Sequence, residues 1–337
     1  MLFELPSFDH VEVKNLNEAL CILNRYGEKA RIIAGGTDLL SLMKDRISIP
    51  EVLINIKSIP GMNEITYDDN SGLRIGAGVT LNQLITSDIV GRKFTVLSQA
   101  ARQVGTTQLR FMGTIGGNLC QRPRCLYFRH VDFPCYKKGG NKCYAVAGEH
   151  RYYHAILKKG KCVMAHPSDL APALLALKAQ ALVASSGGER QIAMQDFFVG
   201  PEPLTETLLK PDELLTEIRV PNQKERTYQI FLKRRIRHSA DFSLVSVAVV
   251  AEISDGICED IRIVLGGVAP CPLKAAEAEE MVRGKGLNGE NISRAAEASV
   301  KGARPLPMND YKVDLTKALV GRALMSVWQE SEQSRPS

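Results

Sequence analysis

The sequence predicts an α+β protein of two or three domains. Three observations carry this: 337 residues, 45% apolar and 24% charged, exceed one small core; helix-like and strand-like segments alternate at the amino-terminal end; and three strand-like runs precede three helical ones in the last third.

In chain order, residues Asn15 to Tyr26 place Leu16, Ala19, Leu20 and Leu23 on one helical face, and Ala30 to Ala34 form a short strand ending at Gly35-Gly36. Thr37 to Lys44 reads as a helix and Val52 to Ile56 as a second strand. The result is a small βαβ-like unit with a turn at a strand's carboxyl end, where ligands bind. From residue 57 the pattern becomes a strand at Leu73 to Gly78 and helices at Leu81 to Thr86 and Lys93 to Val104. After a cysteine-rich insertion at 120–162 come a helix at Leu170 to Leu177, a strand at Ala181 to Ala184, a turn at Ser185 to Glu189 and the segment Glu217 to Pro221. The polar stretch Asn222 to Arg226 reads as a boundary. Beyond it, Thr227 to Leu232, Ser243 to Glu252 and Cys258 to Gly266 read as strands, the last two joined by Ser254-Asp255-Gly256. Ala275 to Val282, Ile292 to Val300 and Lys312 to Val327 read as helices, and Glu330 to Ser337 as a disordered tail. The expected units are therefore 1–56, 57–222 and 226–330.

Charge and hydropathy narrow the function classes. The net charge of +6 comes from dispersed residues, and the densest cluster, Lys233-Arg234-Arg235 with Arg237, is too short and too poor in aromatics for a nucleic-acid surface. The first residues carry no basic or apolar leader, and the apolar stretch Leu244 to Ala251 is too short to span a bilayer, so no membrane span and a cytoplasmic location are expected. Of the eight cysteines, Cys21, Cys120, Cys258 and Cys271 lie in apolar or strand-like contexts and read as small buried side chains.

The other four crowd together as Cys125-x9-Cys135-x7-Cys143-x18-Cys162, shortly after the glycine turn Thr114-Ile115-Gly116-Gly117-Asn118-Leu119. Thiolates hold iron-sulfur clusters or zinc, while successive N–H groups in a glycine turn form a concave site for pyrophosphate. A similar turn, Ala34-Gly35-Gly36-Thr37-Asp38-Leu39, occurs earlier. Its glycines allow close approach of a phosphate, although a plain strand-to-helix turn capped by Thr37 or Asp38 would use the same residues. It is not GxGxxG, so a nicotinamide fold gains no support. Two such turns suit one shared diphosphate, and a dinucleotide beside a metal centre implies electron transfer.

Ala34 to Leu39, Gly113 to Leu119, Ser168-Asp169-Leu170-Ala171-Pro172 and Leu265-Gly266-Gly267-Val268-Ala269-Pro270 together resemble, in order over almost the whole chain, the FAD-binding medium subunit of molybdenum hydroxylases, the xanthine dehydrogenase family. The resemblance implies a vanillyl-alcohol-oxidase-type FAD-binding domain of two subdomains followed by a carbon monoxide dehydrogenase flavoprotein-type carboxyl-terminal domain. It puts Arg31, Ala34, Gly35, Gly36, Thr37, Asp38, Leu39, Thr114, Ile115, Gly116, Gly117 and Asn118 around the diphosphate end of FAD. Ser168 and Asp169 fall near the flavin and its phosphate or ribitol, Leu215 with Leu214 on an apolar wall for the rings, and Lys233 where it could steady reduced flavin. Asp169 as a helix N-cap and Lys233 as a solvated surface charge are the plainer alternatives.

The cysteine insertion resembles the loop of 4-hydroxybenzoyl-CoA reductase and bacterial aldehyde oxidoreductase medium subunits, which carries an additional [4Fe-4S] cluster. That likeness implies Cys125, Cys135, Cys143 and Cys162 as ligands, with Cys120 left in the glycine turn. The irregular spacing argues against a zinc ribbon. Tyr144 to Lys161 is longer than in the reductase and contains His150 and His154, possible ligands that more commonly serve as exposed or hydrogen-bonding residues. The implied role is an electron carrier with no catalytic acid or base of its own. Electrons would pass between a small [2Fe-2S] subunit and an external acceptor, while a large molybdenum-cofactor subunit oxidises an aldehyde, purine or aromatic substrate. The assembly implied is a heterotrimer or a dimer of heterotrimers. A scaffolding subunit or a self-contained flavin oxidase are the competing readings.

Overall fold

The computed structural model describes residues 4–158, 160–237 and 240–334. Strand β1 (Asp9–Glu12), helix α1 (Leu16–Tyr26), β2 (Ala30–Ile33), α2 (Leu39–Lys44) and β3 (Val52–Asn55) form the first unit, a parallel sheet in the order β1-β3-β2. Asn15 caps α1 by accepting the Glu18 N–H, and Ala19, Leu20 and Leu23 turn inward as their spacing dictates. Strand β1 escapes the sequence pattern because its four residues, Asp-His-Val-Glu, are largely exposed at a sheet edge.

The second unit opens with β4 (Ile65–Asp68) and β5 (Gly72–Gly76), then the helices α3 (Leu81–Thr86), α4 (Asp88–Lys93), α5 (Thr95–Arg102), α6 (Thr107–Met112) and α7 (Ile115–Leu119). The single helix expected from Lys93 to Val104 does not form. Phe94, fully buried with φ −130° and ψ 51°, breaks the backbone between α4 and α5 so that its ring enters the core. After the cysteine insertion come α8 (Leu170–Ala176), β6 (Gln180–Ser185), β7 (Gly188–Ala193), α9 (Met194–Phe197) and β8 (Leu214–Val220). The antiparallel order is β4-β5-β8-β6-β7, and the polar edge strand β7 gave no apolar alternation to read.

Strands β9 (Thr227–Arg234), β10 (Val245–Ser254) and β11 (Ile257–Gly266) begin the third unit, with the short β12 (Leu273–Lys274) beside β11. The β10-β11 hairpin turns at Asp255 (φ 50°) and Gly256 (φ 81°), the left-handed pair that a tight hairpin needs. Helix α10 (Ala276–Val282), β13 (Lys285–Gly286), α11 (Gly289–Ala298) and α12 (Tyr311–Gln333) complete it. The disordered tail expected from Glu330 is corrected in part: α12 runs to Gln333 because Val327 and Ser331 are buried, while residues 335–337 of that expectation lie outside the described residues. The almost wholly buried α8 packs on α5 and on β10 and β11, joining the second and third units.

The α+β expectation therefore holds, with two sheet-containing amino-terminal units followed by a sheet-and-helix carboxyl-terminal part. Among the described residues no helix is long and apolar enough to cross a membrane.

Candidate flavin and cysteine sites

The two glycine bends meet. A Cβ on Gly35 would stand 1.9 Å from the Met112 carbonyl oxygen, and one on Gly113 would stand 3.5 Å from Thr37 Oγ1, so main chain packs on main chain where the bends touch. Gly36 adopts φ 69°, which turns the chain from β2 into α2. Among the described residues no hydrogen bond takes up the N–H of Gly35, Gly36, Thr37, Asp38 or Leu39, leaving a run of free donors at the first bend. Such a run is an anion cradle.

The second bend differs. Ile115 N–H donates to Val79 O (2.8 Å), Gly116 N–H to Ala77 O (2.9 Å) and Asn118 N–H to Thr114 O (2.8 Å), while Thr114 Oγ1 accepts the Gly117 N–H (3.1 Å). Its donors are therefore used inside the protein. What it contributes is close approach, together with the Asn118 side chain.

Ser168 Oγ donates to Asn118 Oδ1 (2.5 Å) and accepts the Ala171 N–H (3.1 Å). Ser168 therefore caps α8, and the expectation of Asp169 as the capping side chain does not hold. Asp169 instead pairs with Lys233 at 2.6 Å and accepts a hydrogen bond from Ser243, and the two charged side chains are 4% and 1% exposed. A solvated Lys233 is thereby overturned: besides pairing with Asp169 at the start of α8, the lysine donates to Gln103 O (3.0 Å) at the end of α5, fastening β9 to both helices. Leu215 lies in β8 opposite Val183 in the main core, and the Arg31 guanidinium folds back onto the Glu28 and Ala30 carbonyls. Among the described residues no hydrogen bond joins the Arg31 side chain to the bends, whereas Leu215 shares its core cluster with Ile115 of the second bend.

Asp38 is at the N-cap position of α2 but makes no capping bond. Its carboxylate accepts the Arg122 N–H (2.9 Å) and pairs with Arg124 (2.8 Å) and Arg129 (2.7 Å), so the first bend is tied to the cysteine insertion. Leu42 of α2 reinforces the tie by packing with Cys125, Phe128 and Cys135. The sequence reading missed these arginines, whose only signal was their spacing around Cys125.

Cys125, Cys135, Cys143 and Cys162 line one small cavity of about 10 Å³, and Cys120 is not among its walls. Neighbouring main-chain groups favour the charged form of each thiol: Phe128 and Tyr127 for Cys125, Lys138 and Lys137 for Cys135, Val163, Ala145 and Val146 for Cys143, and Met164 for Cys162. Such groups stabilise thiolate charge. The neighbouring Cys162 thiol pulls the Cys143 thiol down to about 6, Cys143 in turn pushes Cys162 up, and burial raises Cys125 to about 11. His154 Nε2 lies 3.3 Å from Cys125 Sγ, and His150 bridges Ala145 O and the Met308 N–H, so both histidines are buried hydrogen-bonding residues.

Among the described residues no three ligating side chains converge on one point, as a single metal ion requires. In a four-iron cubane each thiolate takes a separate iron, which is a wider arrangement. The surrounding charge suits an anion: Arg122, Arg124, Arg129 and Lys137, each under a third exposed, face only the carboxylates Asp38 and Glu206. Two positive charges are left over, an expensive surplus in a low-dielectric region unless an anion offsets it.

Residues 6–223 match the FAD binding domain in molybdopterin dehydrogenase, and residues 229–327 match the CO dehydrogenase flavoprotein C-terminal domain. The chain is 36% identical over 312 residues to the aldehyde oxidoreductase FAD-binding subunit of Escherichia coli (strain K12), covering 90% of this chain and 91% of that one. It is 29% identical to the carbon monoxide dehydrogenase medium chain of Hydrogenophaga pseudoflava, covering 96% and 98% of the two chains. A solved structure of carbon monoxide dehydrogenase from that organism, lacking the Mo-pyranopterin moiety, superposes with a TM-score of 0.79 at 28% identity, covering 97% of this chain and 99% of that one.

Proposed function

The chain belongs to the family of FAD-binding medium subunits of molybdenum hydroxylases, oxidoreductase flavoproteins, and on that premise we propose that it is the electron-transfer subunit of a heteromeric complex, passing electrons between iron-sulfur centres and an external acceptor. The observation that carries FAD binding is the contact of the two glycine bends, with free N–H groups from Gly35 to Leu39. Those donors would hold the diphosphate, with Ala34 entering the bend and Arg31 on the strand beneath it. Thr114 to Asn118 would cover the other side through close approach and the Asn118 amide. Ser168 fixes that amide, and the buried Asp169–Lys233 pair would place a fixed dipole by the rings, with Leu215 as apolar backing. Bound FAD takes up electrons singly and releases them in pairs.

The second part of the proposal is a [4Fe-4S] cluster on Cys125, Cys135, Cys143 and Cys162. The lining of one cavity by all four cysteines and the local surplus of positive charge support it. A cluster would supply a one-electron store. The partners in this reading are a large molybdenum-cofactor subunit and a small [2Fe-2S] subunit, as heterotrimer or dimer of heterotrimers, in the cytoplasm. Units 1–56, 57–222 and 226–330 would divide the labour, the first two binding FAD.

The deciding experiment measures flavin and iron per complex. About one FAD and about four irons beyond those of the [2Fe-2S] subunit are expected for this chain. Gly35→Ala drives a methyl group into the Met112 carbonyl and should lower FAD retention by roughly tenfold while leaving iron in place. Wild-type complex without flavin would sink the first part, and flavin without the extra iron the second.

A further inference from the structure

Lys137 stands apart among the cations beside the cysteine cavity. Its side chain is 1% exposed, and the residue lines the cavity together with the four cysteines. The ammonium donates to Pro203 O (2.5 Å) and Thr205 O (3.0 Å) and lies 3.6 Å from Glu206, so its donors are directed and its position is fixed. Glu206, itself 3% exposed, is shared with Arg122 at 2.7 Å. One carboxylate therefore answers two cations, and one positive charge is left unmatched in the wall of the cysteine cavity. The other cations differ: Arg124 and Arg129 share Asp38, and Lys138 turns out to the His130 carbonyl.

We propose that Lys137 is a positioning residue that sets the reduction potential of the iron-sulfur site, with Glu206 as its counterweight. The inference rests on the cluster reading above. Four thiolates make a cubane dianionic when oxidised and trianionic after one electron is added, so a fixed neighbouring cation favours the reduced form. Burial keeps the effect large, because water does not screen the charge. The segment bearing Pro203 and Thr205 has a role in this arrangement too: its carbonyls aim the ammonium without cancelling it.

The test is an EPR-monitored reductive titration with dithionite of the purified complex carrying Lys137→Met, Lys137→Arg or Glu206→Gln, with iron counted in each. Lys137→Met should lower the reduced-to-oxidised ratio at fixed solution potential by about tenfold, equivalent to about 59 mV for one electron. Lys137→Arg should stay close to wild type, and Glu206→Gln should move the opposite way. A Met variant that keeps its iron and its potential overturns the proposal. If the Met variant loses iron, the Gln variant decides: an upward shift supports the assignment and an unchanged potential defeats it. Iron loss in all three makes the lysine purely structural and defeats it as well. A wild-type complex lacking the extra irons would instead refute the cluster reading itself.

Discussion

His166 illustrates how burial fixes chemistry at a single residue. Its Nδ1 accepts the Ser168 N–H at 3.3 Å, which places the proton of the neutral ring on Nε2, where no partner is found among the described residues. Burial, with the Lys137 charge adding to it, pushes its pKa from 6.5 down to about 3. The unfolded chain therefore binds a proton below about pH 6.5 that the folded one refuses until about pH 3. Stability contributed by the neutral ring is complete above that window and is lost as pH falls through it, by up to about 1.4 kcal/mol per pH unit. Urea midpoints measured from pH 7 to 4 should fall, and His166→Gln should flatten the slope; an unchanged slope would show that the ring titrates normally. Nothing in the sequence around His166 announced this, since both its burial and the turn at Ser168 depend on distant chain.

Between elements, the cysteine insertion and α2 are held together by charge and apolar contact. Asp38 links the first bend to Arg124 and Arg129, and Leu42 fills the space beside Cys125. Asp38→Asn should leave two partly buried guanidiniums without their counter-charge, at a cost of roughly 1–3 kcal/mol once partial exposure is allowed for. Trypsin should then cleave within the insertion at least several-fold faster, and an unaltered cleavage rate would refute the latch. Helix α1 was readable because a local period records its buried face, and α8, β10 and β11 because they hold short, nearly continuous apolar runs. Edge strands β1 and β7 were not, because exposed strands need no apolar alternation, and the break at Phe94 was invisible because the core pocket it fills is made by other segments.

Across the whole molecule, the insertion is anchored at its far end to the carboxyl-terminal sheet. Lys312, fully buried at the start of α12, donates to Tyr152 O (3.2 Å), His154 O (2.9 Å) and Gly267 O (2.6 Å), a set that suits the three donors of an ammonium although burial pushes its pKa down to about 7. The Gly266-Gly267-Val268-Ala269 segment completes the anchor, with Val268 O accepting from Ile156 and Leu157 and Ala269 O from His166. Lys312→Met should strip three carbonyls of their donor and cost roughly 3 kcal/mol. Thermal unfolding should show the loss directly, accompanied by faster exchange of the main-chain amides around 152–157; an unshifted midpoint would remove Lys312 from the framework.

The sequence alone determined the order of the four motifs, the grouping of four cysteines after a glycine turn, and most of the regular elements. Each of these is written in residues close along the chain, where glycine freedom and apolar period act locally. Only the tertiary structure decided that Gly35 abuts Met112, that the second bend uses its own donors, that Asp169 and Lys233 form a buried pair, and that Lys137 faces the sulfur cavity. The partners in those contacts lie far apart along the chain, 84 residues in the case of Asp38 and Arg122. A side chain's partner at such a distance is set by how the units pack, which no local pattern encodes.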